Sequence, residues 1–210
     1  MSKKGVLTVV SGFSGAGKGT LMKALVKKYN YQLSISATTR APREGEVHGR
    51  EYFFLTREEF EGMIKEDALY EWAEYVGNYY GTPKKYVEEQ LAEGKDVILE
   101  IETQGALKVK EQYPEALLLF VTPPTIAELE RRLIGRGTET MEVIQKRLTQ
   151  AVDESGVMRY YDYLIINDKL EECVEEMHQV IVNEHNKVSK NKEFIEAIQA
   201  ELTAKKRGEI

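Results

Sequence analysis

A run of glycines set between a strand-like segment and a helix-like one constrains this chain more than anything else in it. Val6, Leu7, Val9 and Val10 make a β-branched, almost unbroken apolar stretch, the pattern of a strand covered on both faces of a parallel sheet. Gly12, Phe13, Ser14, Gly15, Ala16, Gly17, Lys18, Gly19 and Thr20 follow directly, and beyond them Leu21, Met22, Leu25, Val26 and Tyr29 recur at helical spacing. Strand, loop and helix in this order are the setting in which such a loop holds the phosphates of a nucleotide. Glycines let the backbone fold so that successive N–H groups point inward at phosphate oxygens, and the helix N-terminus adds its partial positive charge. Lys18 brings a full charge to the β and γ phosphates, where charge shifts during transfer. A mere glycine-rich turn with an exposed lysine is the competing reading. One departure stands out: the residue after the lysine, commonly Ser or Thr, is Gly19. A hydroxyl for magnesium therefore comes from Thr20 or is replaced by water.

The remainder alternates strands with helices, which gives an α/β fold with a parallel sheet. Leu33 and Ile35 read as a short second strand, Val97, Ile98, Leu99 and Ile101 as a core strand, Leu117 to Val121 as another, and Tyr163 to Ile166 as the last. Between Ala37 and Gly81 the pieces are short, glycine is frequent and polar and aromatic residues alternate, as in an inserted subdomain. Within it Thr56 and Glu59 form a capping box for a helix carrying Phe60, Met63 and Ile64. Thr82 and Pro83 read as N-cap and first position of a helix through Val87 and Leu91 that Gly94 ends. Pro123 and Pro124 stop a strand and lead into a helix with Ile126, Leu129 and Leu133, followed by one with Val143, Ile144 and Leu148. Val174, Met177, Ile181 and Val188 trace a long amphipathic helix, and Phe194, Ile198 and Leu202 a C-terminal one.

Composition narrows the partners. At 210 residues, 42% hydrophobic and 30% charged, the chain suits a single domain with small inserts. A net charge of −6 opposes nucleic acid as a partner, since that binding relies on many cations neutralising phosphates. Small phosphorylated ligands need only a local positive cluster. No apolar run approaches the ~20 residues of a membrane span. The N-terminus leads into a strand without signal-peptide features, and the lone Cys173 fits a reducing compartment; a cytoplasmic location is expected.

The stretch from Ser34 to Phe54 is the more discriminating part. It holds Ser36, Thr38, Thr39, Arg40, Pro42, Arg43 and Tyr52, placing two arginines three apart beside hydroxyls. Guanidinium forks bind phosphate bidentately and a phenol adds one more donor, although a solvated arginine pair is the bland alternative. Here the chain resembles the guanylate kinase family, and the likeness runs on through Glu71 to Glu74, Gly77 to Gly81, Gly135 to Thr140 and Ile166 to Asp168 in the expected order. The resemblance implies a three-layer P-loop kinase core with a parallel sheet (1–35, 82–125, 160–210), a small mixed GMP-binding insert (36–81) and a helical lid (126–159). It implies ATP and GMP as substrates, with Mg2+ accompanying ATP, and puts Ser36, Arg40, Arg43, Tyr52 and Tyr80 around the GMP phosphate. Glu71 matches the carboxylate that reads guanine. Guanine offers N1–H and its amino group side by side, which a carboxylate accepts as a pair and adenine does not present; Glu74 lies too close in sequence for spacing alone to separate the two. Thr82 is expected to donate to guanine O6. Glu100 and Glu102 stand where the family has aspartates at a strand end, Glu100 toward magnesium with Thr20 and Glu102 toward guanine.

Arg131, Arg132, Arg136 and Arg147 lie in the region the family uses as a lid, where arginines arriving on closure stabilise the charge spread over the transferred group. Arg136 and Arg147 are favoured as catalytic groups with Lys18, and Arg132 after them; Arg131 fits equally an exposed pair with Glu128. Asn167, just past a strand, is expected to face adenine. His48, His178 and His185 read as structural or solvent-facing, and Trp72 as packing. Two rivals remain: another nucleoside monophosphate kinase, and a guanylate-kinase-like module that binds phosphorylated proteins without chemistry.

Overall fold

The computed structural model describes residues 4–135 and 140–207. In chain order it runs β1 (Leu7–Gly12), α1 (Lys18–Lys28), β2 (Gln32–Leu33), β3 (Ala37–Thr38), β4 (Phe53–Phe54), α2 (Arg57–Lys65), β5 (Leu69–Tyr75), β6 (Asn78–Pro83), α3 (Lys84–Ala92), β7 (Val97–Glu100), α4 (Thr103–Gln112), β8 (Leu117–Thr122), α5 (Ile126–Gly135), α6 (Met141–Val157), β9 (Tyr163–Ile166), α7 (Leu170–Glu184) and α8 (Lys192–Arg207).

Five strands form the main sheet in the order β2-β7-β1-β8-β9, every pairing parallel. Side chains alternate across it as the pleat requires. Val6, Val10, Ile98, Leu119 and Val121 face one core with α1, α5, α6 and α7, represented by Leu21, Leu25, Leu129, Leu133, Ile144, Met177 and Ile181. Leu7, Val9, Leu99 and Leu118 face the other, with Val87 and Leu91 of α3 and Ala106 and Val109 of α4. The three layers expected from the continuous apolar strands are thus present. β1 is central, with neighbours reached by connections running to either side, so its carboxyl end is the switch point at which such sheets bind ligands. There Val10 pairs with Glu100, and the Ser11 hydroxyl donates to the Ile101 carbonyl at 2.8 Å, locking the β7–α4 corner against the end of β1.

A second, mixed sheet has the order β4-β3-β6-β5. Phe60 of α2 is fully buried in its small core with Ala37 and Leu69. The capping box on α2 is present in full: the Glu59 amide donates to the Thr56 hydroxyl, and the Glu59 carboxylate accepts from the Thr56 amide. β5 and β6 turn over at Val76 and Gly77, both with positive φ (48° and 72°), as a tight hairpin demands.

Three local expectations are corrected. Thr82 does not cap α3: it lies in β6, fully buried, and Pro83 is the residue before the first turn. Ile35 is outside β2. Val188 is not on the long helix, since α7 ends at Glu184 and Val188 stands exposed in a following 3-10 turn. The C-terminal helix forms, but Phe194, Ile198 and Leu202 remain exposed; helical period reports a face, not what covers it.

Candidate active site

The loop after β1 is held from below by its own apolar members. Phe13 is buried and meets Phe120 edge-on at 5.1 Å, Ala16 is fully buried, and the Ala16 amide closes a turn onto the Phe13 carbonyl at 3.0 Å. With those two anchored, Ser14, Gly15, Gly17, Lys18, Gly19 and Thr20 line a cleft of about 340 Å³ together with Lys23 and Glu100. Lys18 lies across the loop, its ammonium donating to the carbonyls of Gly12 at 2.6 Å and Phe13 at 3.0 Å. Gly17 precedes α1 in the left-handed region at φ 91°. A Cβ there would come within 2.6 Å of the Asn167 side-chain nitrogen, which donates to the Ala16 carbonyl at 2.8 Å.

From the other side α5 and α6 approach. Arg132 donates to Glu128 at 2.7 Å, to the Asn167 carbonyl at 2.8 Å and to the Ala16 carbonyl at 3.3 Å. It clasps the loop to the end of β9. Arg147 on α6 reaches the Ser14 hydroxyl.

A second cleft, of about 430 Å³, opens between the small sheet and α4, and Ser36, Tyr52, Glu71, Tyr80, Glu100, Glu102 and Lys108 are among its walls. The Thr82 hydroxyl donates to Glu71 at 2.7 Å. Burial raises the Glu71 pKa, against the lowering effects of the Thr82 hydrogen bond and of Lys108. At the outer end Arg40 forks onto Glu46 at 2.9 and 3.0 Å, and its guanidinium lies 5.4 Å from the Tyr52 ring centre. The Glu46 carboxyl, which also accepts from the Arg43 amide at 2.7 Å, is held below the usual carboxylate range by Arg40 and that amide. Glu100 lines both clefts. Partial desolvation raises its pKa, opposed by Lys18 and Lys23.

A family model described as guanylate kinase matches residues 4–184. The chain belongs to the guanylate kinase family. A guanylate kinase of Halalkalibacterium halodurans is 55% identical over 186 residues, 88% of this chain and 91% of that protein. Another, of Clostridium acetobutylicum, is 52% identical over 195 residues, 93% of each. The crystal structure of guanylate kinase from Anaplasma phagocytophilum matches with a TM-score of 0.69 at 33% identity, over 90% of both chains.

Within this family member the expected residues fall into two groups around Glu100. Gly12 to Thr20, Arg132, Arg147 and Asn167 gather at the phosphate-loop end; Ser36, Arg40, Tyr52, Glu71, Tyr80, Thr82 and Glu102 gather at the other. Arg43 is exposed at the rim, contributing its amide to Glu46. Arg136 lies outside the described residues. Glu71 and Glu74 both border this cleft but differ in setting: Glu74 is exposed and 3.6 Å from Arg57, whereas Glu71 accepts a hydrogen bond from the buried Thr82. Asn167 and Arg132, expected at the base and at the transferred group, brace the loop in this structure. Sequence reasoning passed over Glu46, whose signal was a carboxylate placed within the arginine segment, and over Gly105 and Lys108, one turn apart on α4. A Cβ on Gly105 would stand 3.3 Å from the Glu71 carboxylate, so the bare α-carbon makes room for that side chain.

The contact at Gly17 yields an expected outcome. Gly17→Ala must accept a left-handed backbone and push Asn167 off the Ala16 carbonyl. A loss of about 1–3 kcal/mol in a urea unfolding titration is expected, with weakened ATP binding by calorimetry; an unchanged midpoint would refute the strain argument.

Proposed function

We propose that this chain is a guanylate kinase in activity as well as in family, transferring the γ-phosphate of ATP reversibly to GMP to give ADP and GDP. The observation that carries the reading is that one residue, Glu100, borders both the phosphate-loop cleft and the cleft beneath Glu71. Donor and acceptor bound in these clefts meet at one carboxyl end of the central strand, with no protein nucleophile needed between them. Transfer is then direct and in line, and protein chemistry reduces to placement and charge.

In this reading the loop amides and Lys18 hold the triphosphate, and Arg147 stabilises the oxygens of the transferred group from α6, joined by Arg136. Arg132 acts through the loop it clasps. Arg40, Arg43, Ser36, Tyr52 and Tyr80 receive the GMP phosphate, and Glu71 with Thr82 and Glu102 reads the base. Residues 36–81 are the GMP-binding insert, 126–159 the lid and the rest the core. Mg2+ takes oxygen ligands and combines few carboxylates with substrate phosphates and water. The donor set present, Glu100 and the exposed Thr20 hydroxyl, fits that habit, and among the described residues there is no cluster of three or more acidic, His or Cys side chains that would argue for a protein-caged metal. Bound there with ATP, Mg2+ would neutralise charge developing between the β and γ phosphates. No helix among the described residues is long and apolar enough to cross a membrane, and the buried thiol of Cys173 supports a cytoplasmic, reducing location.

A coupled assay of ADP release with ATP, Mg2+ and AMP, GMP, UMP or dTMP in turn tests the reading. GMP is expected to be the strongly preferred acceptor, and EDTA to stop turnover. Folded protein that releases no ADP with GMP sinks the proposal.

A further inference from the structure

The cleft beneath Glu71 is acidic. Glu71, Glu74, Glu100 and Glu102 stand on its walls, and Lys108 is the only cation there among the described residues. Two of the four carboxylates have cations elsewhere: Glu74 lies 3.6 Å from Arg57, and Glu100 also borders the phosphate-loop cleft with Lys18 and Lys23. Glu71 and Glu102 are left to Lys108. Helix α4 fixes where that lysine stands. The Glu71 carboxylate lies against Gly105, whose missing Cβ would be 3.3 Å from it, and Lys108 follows Gly105 by three residues on the same helix. Positions i and i+3 share a helix face with Cβ atoms about 5–6 Å apart, a span that a lysine stem covers. A neighbouring pocket of about 210 Å³ repeats the pairing, for Glu71 and Lys108 line it as well, and its one other charged residue, Asp67, is held by Lys84 at 2.7 Å. The remaining titratable groups on both sets of walls are tyrosine phenols.

The two lysines of α4 are used differently. Lys110 donates to the Ala116 carbonyl at 2.6 Å and to Asp162 at 2.9 Å. Lys108 is exposed and has no hydrogen bond or ion pair among the described residues, so its ammonium is not committed away from the cleft. We infer that Lys108 is a positioning residue for base recognition: from the helix face beside Gly105 it serves as the counter-cation of Glu71, keeping that side chain in the two-acceptor form that guanine requires. It acts through Glu71 and needs no contact with GMP, and its role rests on the guanine-reading part given to Glu71 above. An opposite charge nearby favours the ionised carboxylate. The balance at Glu71 has that sense, with burial and Glu102 raising its pKa and the Thr82 hydrogen bond and Lys108 lowering it.

The KM for GMP at saturating ATP, followed from alkaline to acid pH, tests this in wild type, Lys108→Met, Lys108→Gln and Lys108→Arg, each also combined with Glu71→Gln. Without the ammonium, Glu71 takes up its proton at higher pH. The acid rise in KM is therefore expected to begin sooner in Lys108→Met and Lys108→Gln, to reach about fivefold over wild type, and to vanish toward alkaline pH, where Glu71 is ionised in both. Lys108→Arg is expected to keep the wild-type profile, and added salt to shrink the difference. In the Glu71→Gln background the Lys108 substitutions are expected to change nothing. A wild-type profile in either charge-removing variant overturns the inference, as does a shifted profile in Lys108→Arg. An undiminished effect in the Glu71→Gln background also overturns it, since the ammonium would then meet GMP itself. Retained preference for GMP over AMP in Glu71→Gln alone would instead overturn the reading of Glu71, a result distinct from the others.

Discussion

Lys18→Ala is expected to lower kcat by about 10³-fold, roughly 4 kcal/mol of transition-state stabilisation. The magnitude follows from where the charge sits. In this structure the ammonium donates to the carbonyls of Gly12 and Phe13, so it already lies inside the turn that surrounds the phosphates and needs little reorganisation to meet them. Alanine removes the full charge where negative charge shifts between β and γ oxygens, and nothing nearby replaces it: Lys23 lines the cleft from a turn further along α1. Lys18→Arg is expected to rescue poorly, because a planar fork cannot occupy a space shaped around a point charge among glycines. Saturating ATP separates this loss from weakened binding. If kcat at saturation fell by less than about tenfold, Lys18 would be a binding residue and the electrostatic burden would have to rest on the arginines.

The phosphate loop was legible because its requirements are local. Closely spaced glycines, a lysine and the flanking strand and helix all lie within about twenty residues, and each has a steric or electrostatic reason to be there. The main sheet was legible for a similar reason, since Val6 to Val10 and Leu117 to Val121 carry the signature of burial on both faces. What escaped was set by contacts between distant segments. Thr82 read as a helix cap because hydroxyl followed by proline is a capping pattern, yet its hydroxyl is held by Glu71 across the β5–β6 pair, and tertiary partners override a local cap. Gly105 carries no sequence sign of its purpose, which appears only when α4 lies against Glu71. Asn167 and Arg132 were recognised as site residues, but their engagement of Ala16 depends on the loop and the end of β9 being brought together.

Glu71→Gln is expected to lower the preference for GMP over AMP by about 10²-fold, measured as the ratio of kcat/KM values. The carboxylate presents two acceptors to the adjacent donors of guanine. An amide presents one acceptor and one donor, which matches the N1 acceptor and N6 donor of adenine instead; each bidentate pairing of this kind discriminates by about 1–3 kcal/mol, and the change removes one and supplies the other. The Thr82 hydroxyl donates to Glu71 and can donate equally to the amide oxygen, fixing which way the amide faces. Proton linkage gives a second, independent signature. Burial raises the Glu71 pKa in the folded chain, so the stability this residue contributes is fully present below its unfolded pKa, where it is neutral, and is lost as pH rises through the raised folded value. Above that raised value the ionised carboxylate is thus held at a cost, and there Glu71→Gln is expected to melt at a higher temperature than wild type while recognising guanine less well. The wild-type KM for GMP is expected to rise as pH falls toward the raised pKa, because protonation removes one acceptor, whereas the variant's KM stays flat over that range. Retained preference for GMP in the variant would move the guanine reader to another carboxylate on the cleft wall, Glu102 first.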